Sequence, residues 1–317
     1  MATNQPSVFI DGEAGTTGLG IRKRLETVSG IGLRSLPEAQ RKDPSARQDM
    51  MAACDLVVLC LPDDAAREAV ALAGALGSDA PKLLDASTAH RVDPEWTYGF
   101  PEIAPDQPGK IAMSSKVSNP GCYPTGAIAL LRPLVQAGLV PADHPITISA
   151  VSGYSGGGRS QIEAHDRAGG PAFELYALGL EHKHVPEIEL FAGLSRRPIF
   201  MPSVGHFRQG MLVSVPLYLD DLPARPTGAD LREVLRAFYD GSEHITVAVG
   251  NGTDKLEPEA LNATNRLDLY VCANGARGHA VLVAQLDNLG KGASGAAMQN
   301  LRLMLDLDPK SHRIAVS

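Results

Sequence analysis

Along the first third of the chain, short apolar runs alternate with turns and longer mixed stretches. Val8-Phe9-Ile10 leads into Asp11-Gly12-Glu13-Ala14-Gly15-Thr16-Thr17-Gly18, and a helix follows from about Leu19 to Val28, apolar at Leu19, Ile21 and Leu25. Ile31-Gly32-Leu33 predicts a second strand. Asp55 to Leu61 reads as a fully buried strand, Asp63 to Leu76 as its helix, and Lys82 to Asp85 as another strand. Strands that alternate with helices build a parallel, doubly wound α/β sheet of Rossmann-like type.

Beyond residue 122 the texture changes. Ile146 to Val151, Met211 to Leu219, His244 to Val249, Leu267 to Ala273 and Ala280 to Leu286 read as strands. Only two helix-like stretches, Pro186 to Leu194 and Gly228 to Tyr239, fall between them. That pattern predicts a second, α+β domain with a mixed or antiparallel sheet. The helix-like Gly295 to Leu305 is expected to return to the first domain. A chain of 317 residues is long for a single core, which agrees with two domains.

The strand, glycine turn and helix at residues 8 to 28 are the setting in which glycines let a backbone approach a pyrophosphate. Gly12, Gly15, Thr16, Thr17 and Gly18 are therefore cofactor-binding candidates. The spacing is GxxGxxG; the commoner GxGxxG needs glycine where Glu13 stands. NAD sites place an acidic residue at the end of the second strand, and this chain has Arg34 and Ser35, with Arg41 and Lys42 soon after. A 2′-phosphate suits that end better than a bare ribose, so Arg34, Ser35 and Arg41 favour NADP(H) over NAD, basic residues on a solvated loop being the other reading. Ser87, just past the Lys82 to Asp85 strand, joins them as a candidate. The expected division is an NADP-binding Rossmann-like domain from 1–118 with 291–317, and a catalytic, substrate-binding and oligomerisation domain from 119–290.

Composition narrows the partners. With 44% hydrophobic and 21% charged residues and a net charge of −7, the chain has no general basic surface for nucleic acid or membrane. No uncharged apolar run approaches the ~18 to 20 residues that span a bilayer. The start, Met-Ala-Thr-Asn-Gln-Pro-Ser, lacks the features of a signal peptide, and the four cysteines show no CxxC pair. A cytoplasmic, reduced protein is the expectation.

The chemistry centres on Ser118-Asn119-Pro120-Gly121-Cys122-Tyr123-Pro124-Thr125-Gly126. Asn-Pro-Gly continues neither helix nor strand, and the apolar run Ala127 to Leu131 reads as a helix with Cys122 at or near its start. A helix N-terminus favours a thiolate, the form in which cysteine is a nucleophile. In Glu181-His182-Lys183-His184-Val185-Pro186-Glu187, Pro186 suits the first helical position and leaves His184 just outside the helix. A His-x-His pair is also a metal-ligand pattern, but no companion ligands at metal spacing stand nearby, so no metal is expected. The run Ser152 to Gly158, with Ser155, offers backbone N–H groups to a phosphate, and Arg159 adds charge. A flexible surface loop is the other reading of that run.

Taken together, SNPGCYPTGA, DGEAGTTGL, Asp85-Ala86-Ser87-Thr88-Ala89-His90-Arg91, His184-Val185-Pro186-Glu187 and Gly290-Lys291-Gly292-Ala293-Ser294-Gly295 resemble the shorter form of the N-acetyl-γ-glutamyl-phosphate reductase family. The relatives of that family are aspartate-semialdehyde dehydrogenases. The resemblance implies NADPH-dependent reduction of an acyl phosphate to an aldehyde in arginine biosynthesis, through a Cys122 thioester with His184 as acid and base. It also places Asn119 near the nicotinamide or the reacting carbonyl and Arg208 on a substrate carboxylate, although a turn-former and a surface arginine remain the plain readings of these two. A homo-oligomer, dimer or tetramer, is implied as well. Aspartate-semialdehyde dehydrogenase or another acyl-phosphate reductase is the alternative activity; an NADP(H)-binding regulatory protein without turnover is the non-enzyme alternative.

Overall fold

In the computed structural model the described residues are 5–250 and 254–307; both ends of the expected nucleotide-binding domain, 1–4 and 308–317, lie outside them, as do 251–253. Contacts divide the chain into two compact units, Met1–Pro120 with Ala293–Ser317, and Gly121–Gly292.

The first unit begins with β1 (Ser7–Asp11), α1 (Thr16–Leu25), β2 (Gly32–Arg34), α2 (Pro44–Ala52), β3 (Leu56–Leu59), α3 (Asp63–Gly74) and β4 (Lys82–Asp85). It continues through β5 (Thr97–Tyr98), α4 (Gln107–Met113) and β6 (Lys116–Ser118). The six strands form one parallel sheet in the order β2-β1-β3-β4-β6-β5. Successive residues of a strand face opposite sides, and both sides are covered. Val8, Ile10, Leu56, Val58 and Leu84 pack on one core with Ile21 and Leu25 of α1. Phe9, Val57, Leu59 and Leu83 pack on the other with Met51, Ala69 and Ala73 of α2 and α3. Each fully buried aliphatic side chain stabilises the sheet by roughly 1.5 to 3 kcal/mol.

Helix α1 starts three residues before the position read from its apolar spacing. The turn closes when the Gly15 N–H donates to the Gly12 carbonyl (3.1 Å), and the Gly15 carbonyl already accepts from Leu19 N–H (2.8 Å). Gly12 itself has φ +87°, and a Cβ there meets the Cys60 carbonyl oxygen, so no other residue fits this turn.

The second unit runs α5 (Cys122–Gln136), β7 (Thr147–Gly153), α6 (Gly158–Ala168), β8 (Phe173–Leu175), α7 (Val185–Ala192), β9 (Ile199–Gly205) and β10 (Met211–Tyr218). Then follow α8 (Gly228–Phe238), β11 (Ile245–Val247), β12 (Leu267–Asn274) and β13 (His279–Leu286). Its sheet is mixed, in the order β11-β12-β13-β10-β7-β9-β8. The last helix, α9 (Gly295–Met304), packs on α1, α4 and β4 of the first unit. Strands β5, β6 and β8 are only two or three residues long, too short to show a period. Pro202 interrupts the pattern of β9, and the loop expected from Ser152 to Gly158 is instead the end of β7, a 3₁₀ turn at Tyr154–Gly157 and the start of α6.

Helix α5 is the central helix of this unit and packs on α7, α8 and the sheet. It contains Pro133, which supplies no N–H to the Ala129 carbonyl one turn back. Tyr239, just past α8, donates its hydroxyl to that oxygen at 2.9 Å and replaces the missing bond. Among the described residues no helix is long and apolar enough to cross a membrane.

Candidate active site

Cys122 is the first residue of α5, with Gly121 at the N-cap in extended conformation. The glycine has no side chain to cap the helix, so the positive end of α5 is presented at the cysteine. The Gly121 N–H donates to Oε1 of Glu187 at 2.8 Å, and Glu187 is buried at 1% exposure on α7. The sequence placed Glu187 in a motif without a role; its carboxylate fixes the backbone that leads into Cys122.

His184 is the N-cap of α7 and is buried. The ring of Tyr123, the residue after Cys122, lies 5.9 Å from the His184 ring and 6.0 Å from that of His182. The two histidine rings are 4.7 Å apart, and His182 Nδ1 accepts the His184 backbone N–H at 3.1 Å. Tyr176 donates its hydroxyl to Tyr123 Oη (3.3 Å), which donates to the Ser203 carbonyl (3.0 Å). Burial pushes the Tyr176 hydroxyl up to about 12, against the pull of the Tyr123 hydrogen bond, and the Cys122 charge pushes the same way. Tyr123 is raised further, first by burial and then by Tyr176 and Cys122. Both phenols therefore stay protonated beside the thiol and act as donors.

The turn after β13 closes against Cys122. Asp287 is fully buried; its carboxylate accepts from Ala263 N–H and Leu289 N–H, both at 2.8 Å, and from the Gln209 amide. Its carbonyl takes the N–H groups of Gly290 (3.1 Å) and Gly292 (3.0 Å). A Cβ on Gly292 stands 2.8 Å from Cys122 Cβ and 3.3 Å from its Cα, closer than real side chains approach. Only glycine fits behind this cysteine.

The anion-binding candidates are placed differently from the loop that their glycines suggest. Ser155 is buried in a 3₁₀ turn, and its Oγ accepts from Asn288 Nδ2 at 3.0 Å. Arg159 lies within α6, 75% exposed, paired with Glu163 one turn on at 2.9 Å. Arg208 is 57% exposed and meets Asp166 at 3.2 Å. Nearby, His165 and His206 stack with Nδ1 atoms 2.9 Å apart.

In the first unit, Gly12 to Gly18 join the carboxyl end of β1 to α1. Helix α1 has no side-chain cap and no acidic residue in its first turn, so Thr16 and Thr17 open a helix whose N–H groups suit an anion. A Cβ on Gly18 meets the Gly12 carbonyl at 2.6 Å, whereas one on Gly15 makes only ordinary contacts, at 3.5 and 3.8 Å. Internal packing thus explains Gly18 but not Gly15, and a ligand backed against the turn does. These residues fit a dinucleotide. Arg34 is exposed at the end of β2. Ser35 and Arg41 both meet Glu13, at 2.9 and 2.6 Å. Ser87 is turned inward: its hydroxyl donates to Asp85 at 2.7 Å, the carboxylate that also holds His90 Nδ1 at 2.6 Å. Asn119 is buried and engaged on every side: its N–H donates to Asp85 O (2.7 Å), its carbonyl accepts from Arg91 Nε (3.0 Å), its Oδ1 from Asn300 Nδ2 (3.0 Å), and its Nδ2 donates to Ala293 O (3.2 Å).

Comparison with known proteins follows this geometry. Residues 21–111 match the family model for the semialdehyde dehydrogenase NAD binding domain, and 122–288 that for the semialdehyde dehydrogenase dimerisation domain. N-acetyl-gamma-glutamyl-phosphate reductase 2 of Pseudomonas putida is 54% identical over 306 residues, covering 95% of this chain and 97% of that protein. N-acetyl-gamma-glutamyl-phosphate reductase of Burkholderia cenocepacia is 52% identical over 307 residues, with coverage of 95% and 97%. Among solved structures, aspartate semialdehyde dehydrogenase from Francisella tularensis superposes with a TM-score of 0.72 at 13% identity, covering 95% of this chain and all of that one. Aspartate semialdehyde dehydrogenase II from Vibrio cholerae gives 0.71 at 14%, covering 95% and 98%. The solved structures share the fold; the kinship rests on identity above one half along nearly the whole length, and by it the chain belongs to the N-acetyl-gamma-glutamyl-phosphate reductases, a family of semialdehyde dehydrogenase fold.

Proposed function

We propose that this chain reduces N-acetyl-L-glutamyl 5-phosphate to N-acetyl-L-glutamate 5-semialdehyde and phosphate, a step of arginine biosynthesis, through a thioester on Cys122. The single observation that carries the covalent route is Cys122 at the first position of a helix whose N-cap residue, Gly121, has no side chain to cap it. The thiolate attacks the acyl carbon and expels phosphate, splitting one difficult reduction into two easier steps. NADPH, held by Gly12, Gly15, Thr16, Thr17 and Gly18 with Arg34, Ser35 and Arg41, supplies the hydride. His184 takes the thiol proton at the start and returns a proton when the sulfur departs. Tyr123 holds the imidazole in place, and Glu187 holds the Gly121 N–H, so the sulfur and the ring keep their geometry through both steps. Ser155 is the candidate for the leaving phosphate and Arg208 for the substrate carboxylate. Arg208 must exchange Asp166 for the substrate to do this. The need for a reduced thiol places the enzyme in the cytoplasm.

The test is the reverse reaction: NADP reduction with N-acetylglutamate semialdehyde must require phosphate. A strong preference for aspartate semialdehyde sinks the assignment, and NADP binding without any turnover leaves the regulatory reading.

Oligomerisation is proposed through the second sheet. Helices α5 and α8 cover one of its faces, where Met211, Val213, Val215 and Leu217 of β10 are buried. The alternate residues point the other way: Tyr218 is 65% exposed, Pro216 is exposed, and Val281 on β13 is 39% exposed. This face seats a second copy of the chain. Light scattering is expected to give a dimer or a multiple of it, and Tyr218→Glu with Val281→Glu to reduce it; a monomeric wild type refutes the proposal.

A further inference from the structure

A charge cluster at the end of β2 is not accounted for by the glycine turn. Glu13 stands where the commoner dinucleotide turn has glycine, and its side chain folds back toward the chain after β2. Three donors converge on it: Arg22 Nη1 from α1 at 2.6 Å, Arg41 Nη2 at 2.6 Å on the other oxygen, and Ser35 Oγ at 2.9 Å. The carboxylate side chain is 9% exposed, while Arg22 and Arg41 are 36% and 41% exposed. The anion is covered and the cations are open to solvent. Of the five N–H groups of a guanidinium, Arg41 commits one to Glu13 and one, Nε, to the Leu36 carbonyl at 3.3 Å.

We propose that Glu13 is the internal counter-anion of the adenosine 2′-phosphate subsite: it holds Arg22 and Arg41 in its absence and sets how strongly the enzyme prefers the phosphorylated cofactor. This rests on the reading of the first unit as NADP(H)-binding. Arg22 also pairs with the exposed Glu26 through Nε at 3.1 Å, so with both carboxylates ionised the two arginines and their partners carry no net charge. A 2′-phosphate of charge about −1.5 to −2 finds both guanidiniums already neutralised and must share them with Glu13. A ribose with a free 2′-hydroxyl brings no charge and is indifferent to the balance. Glu13 therefore tempers the discrimination between the two cofactors, and it bridges the two arginines when the site is empty.

The experiment is equilibrium binding to the full-length enzyme, by calorimetry, of adenosine 2′,5′-bisphosphate and of 5′-AMP, which differ only in the 2′-phosphate. The ratio of the two affinities is the readout. Glu13→Gln is expected to raise it about tenfold, through tighter bisphosphate binding with 5′-AMP little changed. Glu13→Asp keeps the charge and is expected to leave the ratio within about threefold of wild type. Arg22→Gln leaves Arg41 wholly to Glu13 and is expected to lower it about fivefold. A folded Glu13→Gln protein whose ratio is unchanged or lower overturns the proposal; if that variant does not fold, an unchanged ratio in Arg22→Gln overturns it. A wild type that binds neither compound overturns the cofactor reading and this proposal with it, whereas a wild type that prefers the bisphosphate beside an unmoved Glu13→Gln overturns the proposal alone.

Discussion

With Cys122 replaced by alanine, phosphate-dependent NADP reduction is expected to fall by roughly 10⁴-fold or more, the scale seen when a covalent nucleophile is removed. Binding of adenosine 2′,5′-bisphosphate should be unchanged, because the nucleotide cradle belongs to the first unit. Chemical modification supplies a second measure. Iodoacetamide at pH 7 to 8 is expected to abolish activity in step with one label on Cys122. Cys60 stays unlabelled, because burial, and after it Asp85 and Asp11, push its thiol far above the ordinary range. Burial likewise raises Cys54. Only the thiolate reacts appreciably, so these two thiols are spared. A Cys122→Ala enzyme that keeps more than about one hundredth of the wild-type rate would falsify the thioester route.

The second large effect comes from a residue with no reactive group. Gly292→Ala is expected to lower kcat about 100-fold, because a displacement near 1 Å at the reacting atoms costs that much. The added Cβ begins 2.8 Å from Cys122 Cβ. Nor is the turn free to recoil, since the buried Asp287 carboxylate is held by Ala263 N–H, Leu289 N–H and the Gln209 amide. Cys122 must move instead. Overpacking of this kind also destabilises by roughly 1 to 3 kcal/mol, so thermal unfolding has to be followed beside the kinetics. Nucleotide affinity should survive, and the alkylation rate of Cys122 should change. A variant with half the wild-type kcat shows that the contact is tolerated and that Gly292 has no part in positioning.

What the sequence disclosed of this site was the part set by neighbours along the chain. Pro120-Gly121 followed by an apolar run marks a helix start, and Cys122 is the first residue of α5. The glycine turn between an apolar run and a helix announced the β1 to α1 connection in the same way. Contacts between distant residues left no local mark. Glu187 reaches Gly121 across 66 positions, and Asn288 reaches Ser155 across 133. Glu13 is the instructive intermediate case. Its neighbours Ser35 and Arg41 were legible as polar groups near the end of a strand, but Glu13 itself registered only as a missing glycine. That its side chain turns back to those two residues depends on the closure of the turn. Arg159 was misleading because the glycines before it suggested a loop, whereas Gly158 begins a helix that carries Arg159 to the surface.

The bond between Tyr239 and Ala129 also bears on the order in which the molecule assembles. A proline at position 133 leaves the isolated segment 122–136 short of one backbone hydrogen bond in its middle, and a helix of that length is already marginal in water. The acceptor is satisfied only when residue 239 arrives from beyond α8. Helix α5 is therefore not an autonomous folding unit. Its last hydrogen bond closes at docking, and the segment that carries Cys122 matures with the tertiary structure of its unit rather than ahead of it.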